Sequence, residues 1–554
     1  MILLLCLFYS VWVELAWSQE EDEGFSFDGN IQQVAVAGNY FYIATEDKLY
    51  QLSHNLTLIH SLTLRGILKN EDPMGNEDFY RVSEKVFNAT FSINVLLPFI
   101  GNETAASCGL TDNSCGYCEV LDLKNISKVL YREHIQVGPL RSSSGSVSFL
   151  VDVKKDSTHK ETYILTAIQN QRDKSEEIKC MSDLVTINLH DTGHTGIGGI
   201  FSLSDRSGNT PGIQTKADVE FVDGFQINST VYLFSNVASG AKTNKVRLIW
   251  LQAEISKTQT LKSLHGATLR TSNGDEGSRL LASSVIPGGQ QVLWSGVFSL
   301  DGGETNTELL LFDINPDQRI KPFTDPDFYY TSIKPNNPSE PKTLKPEVVL
   351  LKHNYMTSVT VVRQRGWMVF FIGTADGLLI KLGVDMNYQP TCPKVLYRAS
   401  GEHKVFSRIH LAQVDQKHVY LQFKNKIMRV PVSKCNVLRN VKDCLSAQDP
   451  HCVWCVSEDS CTFEDHCTDS EWLSIPNESQ KSMFSHHVVK DSSGKIKLMI
   501  LTHLTVQQKI PDITSITPSV VSLHGKNHAR LSGYNLSNVI GVRILTRMDC
   551  SPQE

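Results

Sequence analysis

From Gly24 to Val432 the apolar positions fall in short runs of strand length. Val34-Ala35-Val36, Tyr40-Phe41-Tyr42-Ile43-Ala44 and Lys48-Leu49-Tyr50-Gln51-Leu52 are β-rich runs, punctuated by Gly38-Asn39 and Glu46-Asp47. Tyr163 to Ile168, Val231 to Phe234, Val292 to Phe298, Leu309 to Phe312, Val359 to Val362 and Met368 to Ile372 follow the same pattern. Asp376-Gly377 is a strong hairpin-turn signal before Leu378-Leu379-Ile380-Lys381. No long segment shows helical periodicity with caps. Roughly 410 residues of short strands are too many for a single sandwich. A β-propeller, which repeats sheets radially, deals with exposed strand edges at this size. No clean sequence repeat is visible, so the pattern alone leaves two tandem sandwiches as an alternative.

The pattern changes at Cys435. Six cysteines, Cys435, Cys444, Cys452, Cys455, Cys461 and Cys467, crowd a segment too short to bury a core of its own. A zinc ribbon on Cys452 and Cys455 with Cys461, Cys467 or His466, a redox Cys-x-x-Cys, and a structural disulfide knot all fit that density. The N-terminus separates them. Ile2 to Val13 are almost wholly apolar, too short a run to span a bilayer comfortably, and Ala16-Trp17-Ser18 offers small residues at a signal-peptidase site. Cleavage is expected after Ser18, although the run lacks a basic start and is followed by Glu14. Seven Asn-x-Ser/Thr sequons, at Asn55, Asn88, Asn102, Asn125, Asn228, Asn477 and Asn535, fit the same secretory route. Disulfides persist in that compartment, so the knot reads as structural.

Composition adds mainly exclusions. The chain is 41% hydrophobic and 20% charged with a formal net charge of −6, and no basic block points to nucleic acid. No stretch after the signal is apolar for long enough to cross a membrane as a helix. Asp191-Thr192-Gly193 has the look of an aspartic-protease loop, but that chemistry needs a second carboxylate, and Asp491-Ser492-Ser493-Gly494 is a poor copy. Gly193 to Gly199 lacks the lysine and helix of a phosphate loop. No histidines have metal-ligand spacing. The expectation is therefore no enzyme, no metal and no cofactor. After the knot, Pro511 to Pro518 opens a new β-rich segment, and Cys550 is expected to find its partner beyond Glu554, so the chain is expected to stop inside a domain.

Asp449-Pro450-His451-Cys452-Val453-Trp454-Cys455 resembles the PSI signature of plexins, with Val453 where glycine is usual. Semaphorins usually carry an aspartate where Cys455 stands. Ala44 to Leu52 resembles the plexin first-blade hairpin, and Phe371 to Lys381 the last-blade motif. The run from Cys392-Pro393-Lys394-Val395-Leu396-Tyr397 to Cys461-Thr462-Phe463 is most similar to the C-class plexin. The resemblance implies an all-β chain: a signal peptide at 1–18, a seven-bladed sema propeller at 19–433, a PSI domain at 434–488, a connecting segment at 489–510, and the start of an IPT domain at 511–554. The family's PSI domain usually has eight cysteines. Here Val441 stands at about the place of the second, and the last is missing too. The pairs it then implies are Cys435–Cys452, Cys444–Cys461 and Cys455–Cys467. Cys108 looks like part of the sema hairpin disulfide, with Cys115 or Cys118 as its partner. Cys180 and Cys392 are left without an assigned pairing.

What the resemblance implies about function is a semaphorin receptor ectodomain at the cell surface. Its ligand would be dimeric, with a GPI-anchored class among the candidates, and membrane attachment would lie beyond these residues. The alternatives are a soluble secreted decoy or ligand, and an ectodomain like that of the hepatocyte growth factor receptor, which normally has a basic cleavage site not found here. Ligand-contacting residues are not assigned.

Overall fold

The computed structural model describes residues 24–66, 90–111, 116–139, 144–156, 159–169, 185–192, 212–239, 243–253, 255–274, 277–289, 291–315, 325–331, 342–399, 408–412, 414–467 and 472–475, together with the strands Ser485–Lys490, Ile496–Leu501, Asp512–Thr517 and Arg530–Tyr534. The chain divides into two units, 1–474 and 475–552.

Seven sheets, antiparallel but for one added strand, form the larger part of the first unit. The first blade is Gln33–Ala37, Tyr40–Ala44, Lys48–Ser53 and Leu58–Thr63. The second runs from Phe91–Phe99 to Asn125–Glu133, the third from Val147–Lys154 to Ile213–Thr215, and the fourth from Asp218–Ile227 to His265–Leu269. The fifth starts at Arg279–Val285 and ends at Val348–His353, and the sixth runs from Met356–Gln364 to Lys394–Arg398. The seventh is Ile409–Leu411, His418–Gln422 and Lys426–Pro431, completed by the N-terminal strand Gly24–Ser26. Gly24, Phe25 and Ser26 pair with Met428, Ile427 and Lys426, which closes the ring. Closure of this kind leaves no free inner edge.

The hydrophobic pattern follows from that geometry. A middle strand is covered by a neighbouring blade on each face, so its residues are mostly apolar and do not alternate. Leu293–Ser299 and Leu378–Val384 are buried along their whole length. Outer strands face water, and Leu58–Thr63 is exposed at most positions. Seven apolar clusters result, one at each contact between successive blades. Between the fourth and fifth, Trp294 stacks on Phe234 with ring centroids 4.1 Å apart. Closely packed aromatic pairs add to area burial by about 1 kcal/mol. The ring is thus held by local interfaces in series, which explains why no sequence repeat is needed.

The fifth blade carries a long connection between its third and fourth strands. Phe328–Tyr330 and Lys342–Leu344 in this connection add a fifth strand to the third and fourth blades. Arg247, fully buried on the fourth blade, pairs with Asp325 and lies 3.3 Å from Asp327, tying the connection down.

Two expectations change. Phe371 to Lys381, read as a last-blade motif, lies on the sixth blade, because Ile409–Pro431 and the N-terminal strand build one more sheet. The segment 489–510, read as a connector, contains strand Ile496–Leu501 paired with Ser485–Lys490. Its apolar run Leu498-Met499-Ile500-Leu501 supplies the strand. In the second unit, Asp512–Thr517 pairs with Arg530–Tyr534.

Candidate functional site

The cysteine segment folds around its own sulfurs. Cys435 is bonded to Cys452, Cys444 to Cys461 and Cys455 to Cys467. Cys452 and Cys455 therefore go to different partners. Helix Val441–Ser446 starts at Asn440, whose side chain accepts from the Asp443 N–H at 2.9 Å. A three-stranded sheet places Cys452–Cys455 between Ser460–Phe463 and Trp472–Leu473. Cys435, Cys444, Cys452, Cys461 and Trp454 are the buried core, with Leu438, Val441, Phe463 and Leu473 against it. Val441, at about the place where the family has a cysteine, contributes apolar packing there. Replacing Cys444 and Cys461 together by serine is expected to lower the stability of this unit by about 2–4 kcal/mol. Thermal unfolding of the variant checks it, and an unchanged midpoint contradicts it.

The Asp449-Pro450-His451-Cys452 run plugs into the sixth blade. Lys381 points from the strand Leu378–Val384 and is only 4% exposed. Its Nζ lies 2.5 Å from Asp449 Oδ1 and donates to the Val432 carbonyl at 2.8 Å. Ser433 Oγ donates to Asp449 Oδ2 at 2.8 Å, and the His451 N–H donates to Asp449 Oδ1 at 2.9 Å. Pro450 sits over Gly383, where an added Cβ would lie 3.5 Å from the proline ring. Burial works against the Asp449 charge, yet Lys381 and His451 hold its carboxyl well below the usual range. Burial lowers Lys381, with Asp449 opposing. Burial and the neighbouring Lys381 push His451 down to about 4, so it is neutral at pH 7.

Three further cations surround the plug. Arg365 sits with Gly366 in a tight hairpin turn, both at positive φ, 50° and 89°. It donates to the Pro450 carbonyl, lies 3.4 Å from Glu464 and covers the Trp472 ring at 5.1 Å. Lys394 donates to the Ala447 carbonyl. Lys417, on the seventh blade's first hairpin, meets Asp465 at 2.6 Å and lies over Phe463 at 5.4 Å. Sequence reasoning gave these residues no role. The one available signal was Lys381 itself, a charge within the apolar run Leu378-Leu379-Ile380-Lys381-Leu382.

Cys108 is bonded to Cys118, linking adjacent strands of the second blade. Cys392 is also disulfide-bonded, while Cys115 and Cys180 lie outside the described residues. Asp191 ends a third-blade strand, and Asp491 lies outside the described residues. Among the described residues no group of histidines, cysteines and acids could hold a metal. A central channel of about 660 Å³ runs along the first strands of the blades. On its wall Arg279 grips Glu220 through two nitrogens, at 2.7 and 3.1 Å.

Four sequons fall on described residues, and all are exposed. Asn102 and Asn228 stand in the turns between first and second strands of the second and fourth blades. Asn55 and Asn125 stand at the turns between third and fourth strands of the first and second. In an antiparallel meander these two kinds of turn share one face of the ring. The Arg365 and Lys417 turns that hold the knot lie on that face as well. Asn88, Asn477 and Asn535 lie outside the described residues.

Residues 434–484 match the family described as PSI, plexin repeat. Human plexin-C1 is 33% identical over 281 residues, which are 48% of this chain and 18% of the relative, so the chain covers less than a fifth of that relative. In fold, the plexin A4 full extracellular region aligns with a TM-score of 0.54 at 17% identity, covering 85% of this chain and 52% of that one. A chain from Drosophila Plexin A in complex with Semaphorin 1b aligns with a TM-score of 0.52 at 13% identity, covering 83% of this chain and 97% of that one. The chain thus joins a segment matching the plexin repeat to a closed seven-bladed ring, and it is similar over about half its length to plexin-C1 and in fold to plexin and semaphorin structures.

Proposed function

We propose that the chain binds a semaphorin through its propeller, as the ligand-binding part of a plexin-type receptor at the cell surface. The observation that carries this reading is the asymmetry of the ring. One face holds the PSI knot and all four described sequons. The opposite face, built from turns between second and third strands and from the links between blades, holds none of the four. Bulky, hydrated glycans oppose close approach of a protein, so the second face is the one offered to a partner. Turns on a rigid scaffold are where binding surfaces concentrate. The structural neighbour solved as a plexin–semaphorin complex supports the choice of ligand class. A dimeric ligand, in particular one of the GPI-anchored class, would gather two receptors and gain avidity without new contacts. Cleavage after Ser18 would start the mature chain.

Binding of secreted residues 19–554 to a panel of dimeric semaphorins and plexin ectodomains tests the proposal. Binding to a semaphorin and not to plexins is the expected result. Binding to plexins alone would replace the receptor by a semaphorin-like ligand or decoy.

A further inference from the structure

A second concavity opens on the sequon-bearing face, where the first hairpins of the second, third and fourth blades meet. Its volume is about 520 Å³. Phe99 and Ile100 of the second blade, Phe149 of the third and Phe225 of the fourth give it apolar walls. Ile100 is 66% exposed at the rim, an unusual position for a large aliphatic side chain. Gln226 exchanges two hydrogen bonds of 2.8 Å with the Asp152 backbone, so one wall is tied across two blades. Gly224 lets the Phe149 ring approach, since a Cβ there would come within 2.5 Å of it. The groove is therefore formed before anything fills it.

Asn102 is part of its lining and begins the sequon Asn102-Glu103-Thr104. We propose that the groove seats the first N-acetylglucosamine residues of a glycan carried by Asn102. A pyranose ring presents C–H faces suited to phenylalanine rings and hydroxyls suited to a polar rim. The site has that mixed character, with Asp152, Thr162 and Gln226 beside the apolar walls. Sugar contacts of this size are weak between separate molecules. Here the sugar is tethered at the lip, and its effective concentration is that of an intramolecular ligand. The glycan then covers Ile100 and becomes a packed part of the second, third and fourth blades. The other described sequons on turns, Asn55, Asn125 and Asn228, do not line this groove.

The inference rests on the secretory reading of the chain, and one experiment separates the two. The full chain is secreted from a glycosylating cell, and glycan occupancy is measured at each sequon. Release by peptide N-glycosidase is then timed on the native protein. Asn102 is expected to be occupied and to lose its glycan about tenfold more slowly than Asn55 and Asn125. Ile100→Ser, at an exposed rim position, and Phe149→Leu should both bring its release toward their rate. Equal release rates in the unmodified protein, unaltered protection in both variants, protection of Asn228 in place of Asn102, or an unoccupied Asn102 beside occupied Asn55 and Asn125 would each overturn the proposal. Lack of glycan at every sequon would overturn the secretory reading along with it.

Discussion

Lys381→Ala is expected to destabilise the attachment of the knot to the propeller by about 3–5 kcal/mol. The ammonium is the sole cation within hydrogen-bond reach of Asp449 among the described contacts, and both side chains are almost wholly buried. Removing it leaves a carboxylate in a dry site, still tied to Ser433 and to the His451 backbone. The cost is the unpaired charge, more than the lost contact. A neutral pair should recover much of it: Lys381→Met with Asp449→Asn keeps an acceptor for the His451 N–H and buries no charge. Amide hydrogen exchange at His451 and Cys452 reads the effect locally. Faster exchange in the single variant, with recovery of about half or more in the double, is the expected pattern. Equal exchange in all three proteins would mean that the plug is held by shape alone.

The same junction should loosen in acid, and His451 sets the window. In an unfolded chain it titrates near 6.5, while burial and Lys381 bring it to about 4 in the folded one. Between those values the detached state binds the proton more readily. The stability conferred by neutral His451 is therefore complete above pH 6.5 and falls as pH drops toward 4. A shift of this size corresponds to about 3 kcal/mol. Asp449 does not act in that window, since its carboxyl is held below its ordinary value and stays charged. His451→Gln should flatten the local pH dependence between 6.5 and 4, measured by the same amide exchange. A dependence identical in both proteins would assign the acid effect to other groups, such as the buried His190 and the partly buried His410, which burial pushes down to about 3 and about 4.

Much of the ring was legible from Phe41, Leu49, Leu233, Leu309 and Phe370, because strands covered on both faces are mostly apolar on both. The number of blades came from the family resemblance and not from the strand pattern, since it depends on interfaces between residues far apart in the chain. Trp294 on Phe234 is one such contact. The closing strand Gly24–Ser26 is three residues long and mostly exposed, so nothing local marks it. The same limit misplaced Phe371 to Lys381 on a last blade. The knot was legible because cysteine density and Asp449-Pro450-His451-Cys452 are local signals. Its socket was not: Arg365, Lys394 and Lys417 look like ordinary surface cations until the fold brings Pro450, Ala447 and Asp465 to them. The shared face of Asn55, Asn102, Asn125 and Asn228 likewise needs the strand order, which spacing alone does not contain.

That shared face carries the functional account, and a glycan placed on the other one tests it most directly. Gly303→Asn completes an Asn-x-Thr sequon with Glu304 and Thr305, in the turn between the second and third strands of the fifth blade. Gly303 is exposed and is not in the left-handed region; the nearest atom to an added Cβ is Asp301 Oδ1 at 3.3 Å. With the new site occupied, affinity for the semaphorin identified in the panel is expected to fall by about tenfold or more, roughly 1.4 kcal/mol at least. Removing the glycans at Asn55, Asn102, Asn125 and Asn228 by Asn→Gln should leave it nearly unchanged. Unaltered binding with the engineered sequon glycosylated, together with a change on altering the four native sequons, would put the partner on the opposite face and contradict the account.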